Sequence, residues 1–120
     1  MIDSIPDHLY DTYFLTGSSV ICNPPVTDTD IDYMFFTNDY ENLYTWLFNN
    51  GWKTNEFDYE TNQEVNWTSF RKDKYNVLIT NDINHYDLFE TATKLATKLN
   101  LLDKSQRITL FSYITQGEID

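Results

Sequence analysis

Apolar positions along this 120-residue chain change period several times, and each change marks an element. Residues 1–11 form a lead-in, in which Ser4 to Tyr10 predicts one helical turn capped by Ser4. Thr12 to Thr16 is a β-branched and aromatic run, which predicts a first strand. Gly17-Ser18-Ser19 ends it, as a turn or as the start of a helix. Asn23-Pro24-Pro25 forbids regular pairing because proline lacks an amide donor, so 22–27 reads as a loop. A second strand spans roughly 29–36. Asn38-Asp39-Tyr40-Glu41 then supplies a cap and an acidic first turn for a helix. Tyr40, Leu43, Tyr44, Leu47 and Phe48 form its apolar stripe, and Asn49-Asn50-Gly51 stops it.

The second half is less regular at first. Residues 52–64 are polar, with Trp52 and Phe57 as anchors of an irregular strand or loop. Val65 to Arg71 alternates as a strand, Lys72-Asp73-Lys74 is the hairpin tip, and Tyr75 to Thr80 is a strand expected at the sheet centre. Asn81-Asp82 caps a helix running from Asn84 to about Leu101, with Leu88, Ala92, Leu95, Ala96, Leu99 and Leu102 on one face and Tyr86 and Phe89 flanking it. Asp103 or Ser105 caps a last helix carrying Ile108, Phe111, Tyr113 and Ile114, which Gly117 ends. The fold class predicted is α+β: a small mixed sheet of about four to five strands packed by helices on one side, in a single domain over residues 1–120.

Composition narrows the function classes. Aromatics make up 17% of the chain, enough for a real core. The 19 acids against 8 bases give a net charge of −11, which argues against a broad electrostatic grip on nucleic acid or on an anionic membrane. The same charge suits metal binding or an acidic face offered to a basic partner. A lone cysteine, Cys22, excludes a disulfide framework and points to a reducing, cytoplasmic setting, the host cytoplasm for a viral protein. The acidic start has no apolar run of the signal-peptide kind, and no segment approaches the ~20 apolar residues of a membrane span.

Chemistry concentrates where carboxylates recur at every second position. Asp28, Asp30 and Asp32 share one face if the segment is extended, and like charges so placed call for a cation among them. A divalent metal is the natural candidate, and phosphoryl or nucleotidyl transfer the natural chemistry. An EF-hand is excluded, because the sixth loop position is Tyr33 rather than Gly and the twelfth is Asp39 rather than Glu.

Tyr13-Phe14-Leu15-Thr16-Gly17-Ser18 followed by Thr29-Asp30-Ile31-Asp32-Tyr33 resembles the nucleotidyltransferase superfamily typified by DNA polymerase β. The segment from Tyr75 through Phe111 more loosely resembles small phage-encoded members. The resemblance implies that Gly17 and Ser18 bind phosphates and that Asp30 and Asp32 bind Mg²⁺, leaving Asp28 in the approach. Active members carry a third carboxylate on a later strand. Here Asn76 stands at that position, and Asp82 is the nearby acid that could replace it. The family also places a short helix after Gly-Ser, often with an Arg; the prolines are expected to break it here, and no Arg follows. Arg71 and Lys74 are the candidate cationic contacts to a nucleotide.

The reading is a minimal nucleotidyltransferase-like protein, moving NMP from an NTP to an unknown acceptor with Mg²⁺ or having lost that activity. A protein partner would supply or be the acceptor. The rival is a non-catalytic acidic inhibitor or adaptor, of viral type, that occupies a nucleic-acid-binding host protein; an antitoxin-like module is a third reading. His8 and His85 lack the spacing of metal ligands, and Trp46, Trp52 and Trp67 read mainly as core.

Overall fold

The structure is a computed structural model that describes residues 4–22, 30–54 and 67–116. Asp28, Phe57, Val65, Gly117, and the prolines of the 22–27 loop lie outside the described residues. The elements are β1 (Thr12–Thr16), α1 (Ser18–Ile21), β2 (Ile31–Phe36), α2 (Tyr40–Asn49), β3 (Lys53–Thr54), β4 (Trp67–Lys72), β5 (Tyr75–Thr80), α3 (Ile83–Leu99) and α4 (Lys104–Gln116). A 3-10 turn at Asp7–Leu9 precedes β1.

The five strands form one mixed sheet in the order β1-β2-β5-β4-β3. β1 and β2 run antiparallel, β2 and β5 parallel, and β4 is antiparallel to both β5 and β3. The α+β class and the small mixed sheet are as the sequence predicts. The helices, however, lie on both faces of the sheet rather than one. Adjacent residues of β2 explain this, since neighbouring side chains in a strand point to opposite faces. Phe35 packs with Phe70, Val77 and Ile79 against Leu43 and Leu47 of α2, and Ile5 and Leu9 of the lead-in complete that core. Phe36 meets Tyr86 of α3 on the other side, where Phe14 also packs on Tyr86. A strand apolar on both faces needs cover on both.

Within α2, Leu43 and Leu47 are fully buried, while Phe48, expected in the same stripe, is 64% exposed. Asp39 occupies the N-cap position. Asn38, the expected cap, instead donates its backbone N–H to Asp11 Oδ2 at 2.9 Å.

α3 departs further from its predicted face. Its buried side chains are Tyr86, Ala92, Thr93 and Ala96. Leu88, Leu95, Leu99 and the following Leu102 are exposed. Small residues let α3 approach closely enough for Thr93 Oγ1 to meet Thr16 Oγ1 at 2.8 Å. Thr93 Oγ1 also bonds the Phe89 carbonyl at 2.9 Å, so it donates there and accepts from Thr16. The second core, with Ile21, Cys22 and Ala96, is closed by Leu101, Leu110 and Phe111. Arg107 ties α4 to this corner through the Leu101 and Leu102 carbonyls, both at 2.9 Å. Among the described residues no helix is long and apolar enough to cross a membrane.

Candidate functional site

Gly17 ends β1 with φ +78°, a conformation that L side chains rarely adopt. Its carbonyl accepts from Val20 N–H at 3.1 Å and Ile21 N–H at 2.9 Å, which starts α1. The expectation that the prolines would abolish the short helix after Gly-Ser is therefore corrected: one turn forms, because Ser18–Ile21 ends before Asn23. A side chain at position 17 would run into the Asp32 carboxylate. The missing side chain is what lets Asp32 lie against the backbone at the end of β1.

Strand register carries the rest. Thr16 pairs with Asp32, Asp32 with Asn76, and Asn76 with Arg71. Register partners share a face, so these residues form a row across four strands. Asp30 precedes β2 by one residue and is held there because Ile31 N–H donates to the Lys74 carbonyl at 2.8 Å. Asn76 Nδ2 donates to Asp32 Oδ1 at 2.8 Å and lies 3.3 Å from Asp30 Oδ2. Arg71 grips Asp30 with both guanidinium arms, at 2.8 Å to Oδ2 and 3.1 Å to Oδ1.

Burial pushes the Asp32 carboxyl above its ordinary range, and the Asp30 charge adds to that; the Asn76 hydrogen bond and Arg71 oppose it. A raised carboxyl pKa has a defined sign in stability. Its contribution is complete below about pH 3.9, the unperturbed Asp value, and is lost as pH rises through the raised folded-state value. Asp32→Asn is therefore expected to stabilise the metal-free protein at pH 7 by roughly 0.5–2 kcal/mol, the usual gain from relieving a functional misfit. The gain should shrink toward pH 4. Urea midpoints measured between pH 4 and 7 check this, and a gain independent of pH would contradict it.

The site brings together Gly17, Asp30, Asp32, Asn76 and Arg71. Ser18 opens α1 beside it. Lys74 sits in the β4–β5 turn, with its ammonium 5.7 Å from the Tyr75 ring centre. Asp82 is not part of the cluster, which corrects its candidacy as third acid. It caps α3 instead, accepting from Asn84 N–H at 3.0 Å and His85 N–H at 3.3 Å. It lies six positions beyond Asn76, about 20 Å at the rise of a strand. Among the described residues no group of three or more His, Cys, Asp or Glu side chains converges. Two carboxylates around one side-chain amide still suit Mg²⁺, which is commonly held by one or two carboxylates together with water and substrate phosphates. The Arg71–Asp30 pair was not foreseen. Alternation along the hairpin could have put Arg71 and Asn76 on one face, but nothing local to either residue signals Asp30.

Together these elements form a small α+β domain that carries an acidic row at its parallel strand pair. No protein-family model matches the chain, and no curated protein matches it. Among solved structures it is similar to the conserved protein GrpB from Enterococcus faecalis, with a TM-score of 0.52 and 12% identity over 99% of this chain and 88% of that one. At that identity the likeness is one of fold.

Proposed function

We propose that this chain is a minimal nucleotidyltransferase-like protein that binds a nucleoside triphosphate with Mg²⁺ at Asp30 and Asp32, without efficient nucleotidyl transfer. The observation that carries the reading is the shared donor. One oxygen of each carboxylate lies around Asn76 Nδ2, at 3.3 and 2.8 Å, so the two acids face a common point. Turned about its amide, Asn76 offers a carbonyl oxygen to the same point. Bound there, Mg²⁺ would neutralise and orient the phosphates. Gly17 and Ser18 are the residues that the family resemblance assigns to the phosphates; Gly17 adjoins Asp32, Ser18 follows it at the start of α1, and Arg71 and Lys74 add cationic side chains from the hairpin. Transfer needs a group that takes the proton of the attacking hydroxyl. Asn76 is a neutral amide and cannot do this.

Thermal unfolding in Mg²⁺ or Mn²⁺ with each NTP tests the reading. Ligand at about a hundredfold excess over Kd should stabilise by about 2.7 kcal/mol, and Asp30→Asn/Asp32→Asn should remove the gain. No shift with any nucleotide would sink it.

The net charge of −11 favours a second reading, an acidic inhibitor or adaptor that covers a nucleic-acid-binding protein. Binding to such a partner should fall steeply with salt. It should also survive Asp30→Asn/Asp32→Asn, since these are two of 19 acids.

A further inference from the structure

The Asp30–Arg71 pair occupies the place where a cation would bind. Both Asp30 oxygens are engaged by Arg71, at 2.8 and 3.1 Å, so a metal ion must compete with the guanidinium for Asp30 while the pair is closed. The pair is also easy to open. The two side chains are 55% and 32% exposed, and ion pairs this wet hold their partners weakly. Guanidinium groups grip phosphate with the same two-pronged geometry that they use on carboxylate. Arg71 lies two strands from Asp32, across Asn76, in the row that contains both acids' hydrogen-bond partner.

Building on the Mg²⁺–nucleotide reading above, we propose that Arg71 is an exchangeable counter-ion: it holds Asp30 in the metal-free protein and passes to the polyphosphate when a divalent cation takes Asp30. The exchange makes the two ligands cooperative. Metal alone must displace Arg71 and leave it without a partner. Polyphosphate alone must draw Arg71 away and leave Asp30 beside Asp32 with the 3.3 Å Asn76 contact and no cation. Arriving together, each ligand takes up the group that the other has released. Coupling of this kind is reciprocal, so each ligand strengthens the other by the same factor. Arg71 acts as a positioning residue, since its effect on the cation runs through Asp30.

Calorimetric titration of the full chain with Mn²⁺ alone, and with Mn²⁺ in the presence of inorganic tripolyphosphate, tests the exchange without relying on activity or on a choice of base. Removing the competitor in Arg71→Ala should tighten Mn²⁺ alone about two- to fivefold, the scale of an exposed ion pair. The same change should reduce the coupling between Mn²⁺ and tripolyphosphate by about fivefold or more. Arg71→Lys, which keeps charge but not the two-pronged grip, should fall between the two. A merely structural role would weaken Mn²⁺ binding, the opposite sign. Unchanged or weaker Mn²⁺ binding in Arg71→Ala, with the Mn²⁺–tripolyphosphate pair still bound by the wild-type chain, overturns the exchange and leaves the nucleotide reading standing. A wild-type chain that binds neither Mn²⁺ nor its tripolyphosphate complex overturns both.

Discussion

Replacing Asn76 with Asp is expected to cost the metal-free protein about 2–4 kcal/mol and to return most of that loss when Mg²⁺ or Mn²⁺ is added. The cost has two sources. Asn76 Nδ2 is the donor facing both carboxylates, and hydrogen bonds to charged groups contribute roughly 1.5–3 kcal/mol. A third carboxylate at this spot also adds repulsion to a pair in which Asp32 already resists ionising. The same three carboxylates make a stronger divalent site, so the sign of the effect reverses when metal is present. The variant would also carry the acid that the position holds in active members of the superfamily that the sequence resembles. NMP transfer from an NTP is expected to appear or to rise in Asn76→Asp. Chemical denaturation with and without MnCl₂ reads the stability, and pyrophosphate release reads the activity. A variant as stable as wild type without metal would show that the Asn76 bridge carries little of the site's electrostatics.

Gly17→Ala is expected to destabilise the fold by roughly 2–4 kcal/mol, well beyond the cost of adding one methyl group. The φ of +78° alone disfavours alanine by about 1 kcal/mol. The larger share comes from Asp32, whose carboxylate stands where the new Cβ must go. Moving that carboxylate breaks its bond from Asn76, at 2.8 Å, and so disturbs the whole row. A double-mutant cycle with Asp32→Ala separates the two sources. With the carboxylate gone, Gly17→Ala should cost only the backbone share, which leaves a coupling of about 1–3 kcal/mol between the two positions. Additive losses would mean that Gly17 serves the β1–α1 turn and not the seat of Asp32.

Much of the element map was open to local reading. β1, α2, β5 and α3 follow from composition and period, and their ends match the structure to within one or two residues. Gly17-Ser18 and the Asp30/Asp32 alternation were legible for the same reason, because strand parity is a property of the backbone alone. The errors fall where a helix must choose a face. Leu88, Leu95 and Leu99 look like a core stripe by spacing, yet the packed side of α3 carries Tyr86, Ala92, Thr93 and Ala96. Period tells which residues share a face, not which face meets the sheet. Close approach to β1 favoured the smaller side chains and a threonine that could bond Thr16. Helices on both sides of the sheet were missed in the same way: Phe35 and Phe36 together state the requirement, but only the chain path answers it.

By itself the sequence determined an α+β chain, strongly acidic, with a glycine turn and two aspartates at alternate positions; only its family resemblance marked Asn76 as the place of a third acid. Tertiary structure alone decided what those residues meet. It set Asn76 beside Asp32 through the parallel β2–β5 pairing, brought Arg71 onto Asp30 from 41 residues away, and carried Asp82 to the far end of β5. The physical reason is register. Which residues stand opposite one another across strands depends on burying both faces of the whole sheet at once, and a one-residue slip would turn Asp32 from the α3 face to the α2 face. No local pattern holds that information.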